Sequence, residues 1–370
     1  MLHRTFPHHH KLLSTPERTG ALSEYTGRGV VMAFIDSGFY PHPDLGERVL
    51  VHADATTDNI TEGTRYTRPA AYSWHGQMTS VIAAGDGRTS GGVFRGIACD
   101  AHLVLIKVSN VRNQIKERDI LRGLRWLIEH HQRFGVKVLN LSVGGDEQSD
   151  DPDHPIHAAI RTLTDQGVTV SAAAGNGGRN YLVPPASAPE AITIGGYDDR
   201  NTLDRAQWQP YPNDYGTNKP DITAPAQWIA SPILPGSSVE REAYWLAALL
   251  DADDESQVRQ LLREGYADLN LTRAEATRPT AKTFAKLQER IAYHKIVDAH
   301  HQYVDGTSVS TAIASSIVAQ MLEANTRLTP SNIKAILKQT AVPLAGVLAE
   351  QQGAGMINPA EAVRAALSLG

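Results

Sequence analysis

GVVMAFID (29–36) is a continuous apolar run that ends on an acid, Asp36, with Ser37 and Gly38 directly behind it. Such a run reads as a strand buried on both faces. Four more runs repeat the pattern: AHLVLIKV (101–108), VKVLNLSV (136–143), VTVSAAA (168–174) and AITIGG (191–196). Helix-forming stretches lie between them, clearest in ILRGLRWLIEHHQRF (120–134) and PIHAAIRTLTDQG (155–167), the second closed by Gly167. Strands alternating with helices predict an α/β domain of three layers, α/β/α, built on a mainly parallel sheet. In an open sheet of this kind ligands gather at the carboxyl ends of the strands, the position Asp36 occupies.

Outward from this core the pattern changes twice. Residues 1–28 are polar and punctuated by proline, and read as an N-terminal arm or loose wrapping segment. Its run His8, His9, His10 reads as a solvated tract rather than a metal site. About a third of residues 240–300 are charged, against 20% for the whole chain. Apolar residues there recur at helical spacing: Leu246, Leu249, Leu250; Val258, Leu261, Leu262; Phe284, Leu287, Ile291. Two or three amphipathic helices are expected, inserted into a single domain that spans 29–370. After the insertion comes DGTSVSTAIASSIVAQMLEAN (305–325), whose small residues suit a helix packed closely on the sheet. A helix over 331–339, a glycine-marked turn and a last short helix complete the chain.

Composition narrows the function classes. The chain has 370 residues, 41% hydrophobic, with a formal net charge of −5. That balance offers no basic footprint for nucleic acid and no strong field for a membrane surface. No segment has the long uncharged run of a membrane helix, and the first twenty residues lack the apolar core of a secretory signal. Cys99 is the single cysteine, read as a small buried hydrophobe, so no intrachain disulfide forms. Cytoplasmic residence is the expectation.

Three polar residues sit where chemistry is done. Asp36 ends the first strand; His75 lies in WHGQMTSVIAAG; Ser308 lies where a glycine-containing loop enters the helix of 305–325. A serine hydroxyl becomes a nucleophile when an imidazole takes its proton, and a buried carboxylate fixes that imidazole's tautomer. The chain order Asp, His, Ser is the order found in subtilisin. No G-x-S-x-G elbow surrounds Ser308, which argues against a hydrolase-fold esterase.

Taken together, the segments resemble the subtilase family of serine peptidases. VVMAFIDSGFYPHPDL matches its aspartate motif, HGQMTSVIAAG its histidine motif and DGTSVSTAIASS its serine motif. AAAGN (172–176) is similar to the oxyanion segment, which implies that Asn176 donates to the oxyanion and that Ala174 and Gly175 border the substrate. NLSVGG (140–145) is similar to the substrate strand, which implies main-chain pairing of a peptide with Ser142, Val143 and Gly144. KPDITAPAQWIAS (219–231) matches the segment before the nucleophile. The likeness runs from about 29 to 235 and from 303 to 365. It implies a serine endopeptidase acting on proteins or peptides through an acyl-enzyme, with no cofactor.

The chain departs from the family pattern at several points. Ala312 stands where the serine helix usually carries proline. Gln77, Met78 and Thr79 replace the more frequent Thr-His-Val, a change expected to alter packing more than chemistry. Asp44 matches a calcium ligand of the family, but the loop DGRTSGGVF (86–94) is short for a calcium loop, and no metal is assigned. Arg179, beside the expected specificity pocket, either favours acidic residues or faces solvent. Two functional readings stay open on the sequence: an active peptidase, with the insertion or a regulatory protein partner controlling access, and a latent subtilase scaffold that binds peptides without cleaving them.

Overall fold

The computed structural model describes residues 12–63 and 68–369, so the histidine run lies outside the described residues. The strands are β1 (Val31–Asp36), β2 (Val49–Asp54), β3 (Thr61–Glu62), β4 (His102–Lys107), β5 (Val136–Leu141) and β6 (Thr169–Ala173). They continue with β7 (Ile192–Asp198), β8 (Gln209–Pro210), β9 (Ile222–Pro225), β10 (Ile229–Pro232) and β11 (His301–Val304). The main sheet runs β3-β2-β4-β1-β5-β6-β7-β8, with β9 also paired to β7. Its pairings are parallel except β2–β3 and β7–β8 at the two margins. All five expected strands are present. The sequence reading passed over β2 because this strand alternates buried and half-buried residues and has no continuous apolar run.

Helices α1 (Thr15–Thr19), α2 (Ser73–Ala84), α3 (Glu117–Phe134) and α4 (Pro155–Asp165) precede the insertion. Four helices, not two or three, make up the inserted region: α5 (Ser238–Leu250), α6 (Glu255–Gly265), α7 (Arg273–Thr277) and α8 (Ala281–His294). The short α7 escaped notice because five residues carry too little periodicity; its capping box, Thr272 with Glu275, is its signal. Then come α9 (Thr307–Ala324), α10 (Pro330–Thr340), α11 (Ala349–Gln352) and α12 (Pro359–Ser368).

Strand alternation sorts the core into two layers. Met32 and Phe34 of β1 join a cluster with α2, α9, α10 and α12, while Ala33 and Ile35 join one with α3 and α4. The three-layer α/β/α arrangement follows. By the same parity Asp36 points to the face that carries α2 and α9. Helix α9 is buried nearly all round, which its Ala and Ser residues permit. A third cluster, including Ile233, Leu246, Leu262 and Leu287, gives the inserted helices an apolar core of their own. Their stem is the antiparallel ribbon β10–β11.

The described part of the arm is not loose. Arg18, buried, pairs with both oxygens of buried Asp199 and donates to the carbonyls of Gln227 and Trp228. The carboxylate of Glu323 on α9 accepts from the backbone N–H groups of Thr26, Gly27 and Arg28.

Candidate active site

Asp36 leaves the end of β1 with no exposed side-chain surface. Its Oδ1 accepts from Ser37 N at 2.6 Å and faces His75 Nδ1 at 2.6 Å. Its Oδ2 accepts from Thr79 Oγ1 at 2.9 Å. His75 and Thr79 are one turn apart on α2, so both reach the same carboxylate. The helix comes this close because residue 76 is glycine. A side chain there would run into the Gly38 carbonyl and lie 2.8 Å from Phe39 Cε1. Thr79 therefore belongs to the polar network of the site, where the expectation was that its change alters packing more than chemistry. Its signal in the sequence is a hydroxyl four residues after the histidine, on the same helical face.

The imidazole keeps about a third of its side chain exposed. Burial works against its charged form, but the charge of Asp36 and the hydrogen bond to it prevail, and the His75 pKa is raised above the ordinary value. With Nδ1 bound to the carboxylate, Nε2 is the nitrogen left for proton transfer.

Ser308 is the second residue of α9, half-buried, behind Gly306 at φ 139°. Among the described residues no hydrogen bond joins its Oγ to His75, a separation common in enzymes without substrate. Asn176 lies beside it. The Asn176 Oδ1 accepts from Thr307 N at 2.8 Å and Thr307 Oγ1 at 3.0 Å, which leaves Nδ2 without an acceptor among the described residues. A methyl group built on Gly306 would lie 3.6 Å from Asn176 Nδ2 and 3.9 Å from Ser308 N. Asn176 Nδ2 and Ser308 N, neither with an acceptor among the described residues, thus lie close to the same glycine at the N-terminus of α9.

The strand end beyond β5 completes the wall. Asn140 Nδ2 donates to Ser142 Oγ at 3.0 Å, which in turn donates to the Ser308 carbonyl at 3.2 Å. Past Leu141 the next backbone N–H with a protein acceptor is that of Gly145, bonded to the Pro184 carbonyl. Ser142, Val143 and Gly144 therefore keep backbone groups open along one edge. Across from them, Ala174 N bonds the Ile194 carbonyl and Gly175 N bonds Thr307 Oγ1. Arg179 faces solvent with 42% of its side chain exposed, while Asp214 binds its guanidinium at 2.5 and 3.0 Å.

Asp44 does not suit a calcium ion. Its Oδ1 accepts from Thr89 N at 2.9 Å and its Oδ2 from Thr89 Oγ1 at 3.0 Å, so hydrogen-bond donors hold both oxygens. Among the described residues no group of three or more His, Cys, Asp or Glu side chains is set to hold a metal. Nor is any described helix long and apolar enough to cross a membrane.

The subtilase family pattern matches residues 27–356. This chain belongs to the subtilase family. Serine protease AprX of Bacillus subtilis (strain 168) is 27% identical over 351 residues, covering 91% of this chain and 67% of AprX. Subtilisin Savinase of Lederbergia lenta is 30% identical over 215 residues, covering 58% of this chain and 69% of Savinase. In structure, the protease domain of PatA superposes with a TM-score of 0.62 at 19% identity, covering 94% of this chain and 99% of that one. The likeness to PatA concerns the fold. This subtilase is accordingly a member of a family of serine proteases, with a mostly parallel central sheet, as its sequence leads one to expect.

Proposed function

We propose that this subtilase is a serine endopeptidase with Asp36, His75 and Ser308 as its triad and Asn176 as oxyanion donor. The observation that carries the reading is the 2.6 Å bond from His75 Nδ1 to the buried Asp36 carboxylate. Asp36 holds the Nδ1–H tautomer, so Nε2 can take the Ser308 proton as Oγ attacks the peptide carbonyl. The developing oxyanion falls to Asn176 Nδ2 and Ser308 N. A donor of this kind lowers the barrier by about 3–4 kcal/mol, a magnitude that comes from subtilisin itself. His75 then protonates the leaving amine, and water, with His75 as base, releases the acyl group. The substrate chain is held as an added strand on Ser142–Gly144, against the wall of Ala174 and Gly175.

The reading extends to location and control. A single buried cysteine fits a reducing compartment, and the cytoplasm is the proposed one. Residues 29–370 act as one catalytic domain behind the arm 1–28, with the insertion 240–300 as a cap that gates access or receives a regulatory protein. Trp74, next to His75, is linked to the insertion through Gln302. Gln302 of β11 accepts from Trp74 Nε1 at 2.9 Å and donates to the His294 carbonyl at 3.2 Å, once its amide is oriented to satisfy both. Deleting 240–300 should change the rate or its dependence on a partner; an unchanged rate removes the gating role.

Fluorophosphonate labelling, with Ser308→Ala as control, followed by cleavage of casein, tests the central reading. Labelling and cleavage that both vanish in the variant support it. Absence of labelling in the wild type refutes it and leaves the latent binding scaffold.

A further inference from the structure

Asp214 has no role in the reading above, yet its carboxylate is one of the most heavily bonded in the molecule. The side chain has no exposed surface. Its Oδ1 accepts from Gly177 N at 2.9 Å and Arg179 N at 2.9 Å. Its Oδ2 accepts from Arg179 Nε at 3.0 Å and Nη2 at 2.5 Å. Its own backbone N–H donates to the Gly175 carbonyl at 3.1 Å. These bonds fall on residues 175, 177 and 179, on both sides of Asn176 and never on Asn176 itself.

The packing is equally specific. Gly175 has φ 108°, and a side chain there would overlap the Asp214 carboxylate, so only glycine allows the approach. A side chain at Gly177 would stand 3.0 Å from both Asp214 Oδ1 and Arg179 Nε. From the other side, Thr307 of α9 grips the same loop through Gly175 N and Asn176 Oδ1. Asn176 is thus held between the first residue of the nucleophile helix and one buried carboxylate. A buried charge needs a full set of donors, and here the loop itself supplies them.

We propose that Asp214 is the positioning residue for the oxyanion donor: it clasps the loop 175–179 from beneath and sets where Asn176 Nδ2 points. The proposal rests on the assignment of Asn176 made above. It also gives Arg179 a role, since its guanidinium joins the clasp through Nε and Nη2.

The test is steady-state hydrolysis of a peptide substrate by Asp214→Ala and Asp214→Asn, each alone and combined with Asn176→Ala, with melting temperatures alongside. A misplaced catalytic group costs on the order of 100-fold per ångström. Asp214→Ala should therefore lower kcat by about 10- to 100-fold, with KM within about threefold of wild type. Asp214→Asn, which keeps an acceptor for the two loop N–H groups, should lose less. In the Asn176→Ala background the same changes should cost no more than about threefold, because the donor they position is already gone. A merely structural role would lower the rate by the same factor in both backgrounds, and that result overturns the proposal. So does a folded Asp214→Ala protein with kcat within about twofold of wild type. Should Asp214→Ala not fold, the comparison of Asp214→Asn with and without Asn176→Ala decides by the same criterion. Wild-type turnover that Ser308→Ala abolishes keeps the triad reading whatever Asp214 does; no wild-type turnover brings down both.

Discussion

Replacing Thr79 by valine keeps the shape of the side chain and removes one atom's chemistry. Thr79 Oγ1 donates to Asp36 Oδ2 at 2.9 Å and approaches the Gly76 carbonyl at 3.0 Å. Among the described residues Oδ2 has no other donor, while Oδ1 is shared by Ser37 N and His75. The nearest cation of the neighbouring strand, Lys107, is occupied by Asp54 at 2.7 Å. A hydrogen bond to a charged group is worth about 1.5–3 kcal/mol, and a buried oxygen left without it is not rescued by solvent. Two consequences follow. Stability should fall by about 1.5–3 kcal/mol, read as a lower midpoint in denaturant. The carboxylate, drawing less on Thr79, should attract the imidazolium more strongly and raise the His75 pKa further. His75 must be neutral to act as base, so kcat/KM increases with pH through its pKa. The acid limb of the profile should move to higher pH in Thr79→Val and return in Thr79→Ser. A limb that stays in place, or moves to lower pH, refutes the argument.

Asp36→Asn should move the same limb to lower pH, because the charge that raises the His75 pKa is gone and burial acts alone; kcat should fall by about 10⁴, the loss known for the analogous change in trypsin. Glu242→Ala strips Arg290 and His294 of their shared partner, so the inserted helices should lose about 2 kcal/mol, seen as faster hydrogen exchange in α5 and α8 with the central sheet unchanged. Thr89→Ala removes the hydroxyl donor of buried Asp44 Oδ2 while the backbone N–H on Oδ1 stays, and should cost about 1–3 kcal/mol, while chelator or added calcium leaves the wild-type melting temperature where it was.

The parts of this molecule that were legible in its sequence are those decided by neighbours along the chain. A run such as residues 29–36 declares a doubly buried strand because six or more consecutive apolar residues have no other cheap fate. Helix α4 declares its end through Gly167. β2 and β9 were missed for the opposite reason. β2 lies near a sheet margin with His52 and Asp54 among its residues, and β9 has only four residues. Both are made strands by the partner they pair with, a fact recorded elsewhere in the chain. The number of inserted helices was underestimated likewise, since α7 is held by its cap and its packing rather than by a period of its own.

The site divides in the same way. Asp36, His75 and Ser308 could be named because each stands in a run whose residue types suit a strand end or a helix start, and Asn176 because AAAGN resembles the oxyanion segment of the subtilases. The residues that hold them in place could not. Thr79 looks like an ordinary helix threonine until the 2.6 Å His75–Asp36 bond shows which face it shares. Asp214 lies 38 residues beyond Asn176 in a stretch, YPNDYG, that carries no chemical signature of its own. What binds it to the site is spatial: it returns beside a loop with glycines at 175, 177 and 178, where its carboxylate accepts from Gly177 N and Arg179 N. Those glycines were the available clue. A loop of glycines lets another segment come close to its backbone donors, and Asp214 is the acid that takes the N–H groups of residues 177 and 179.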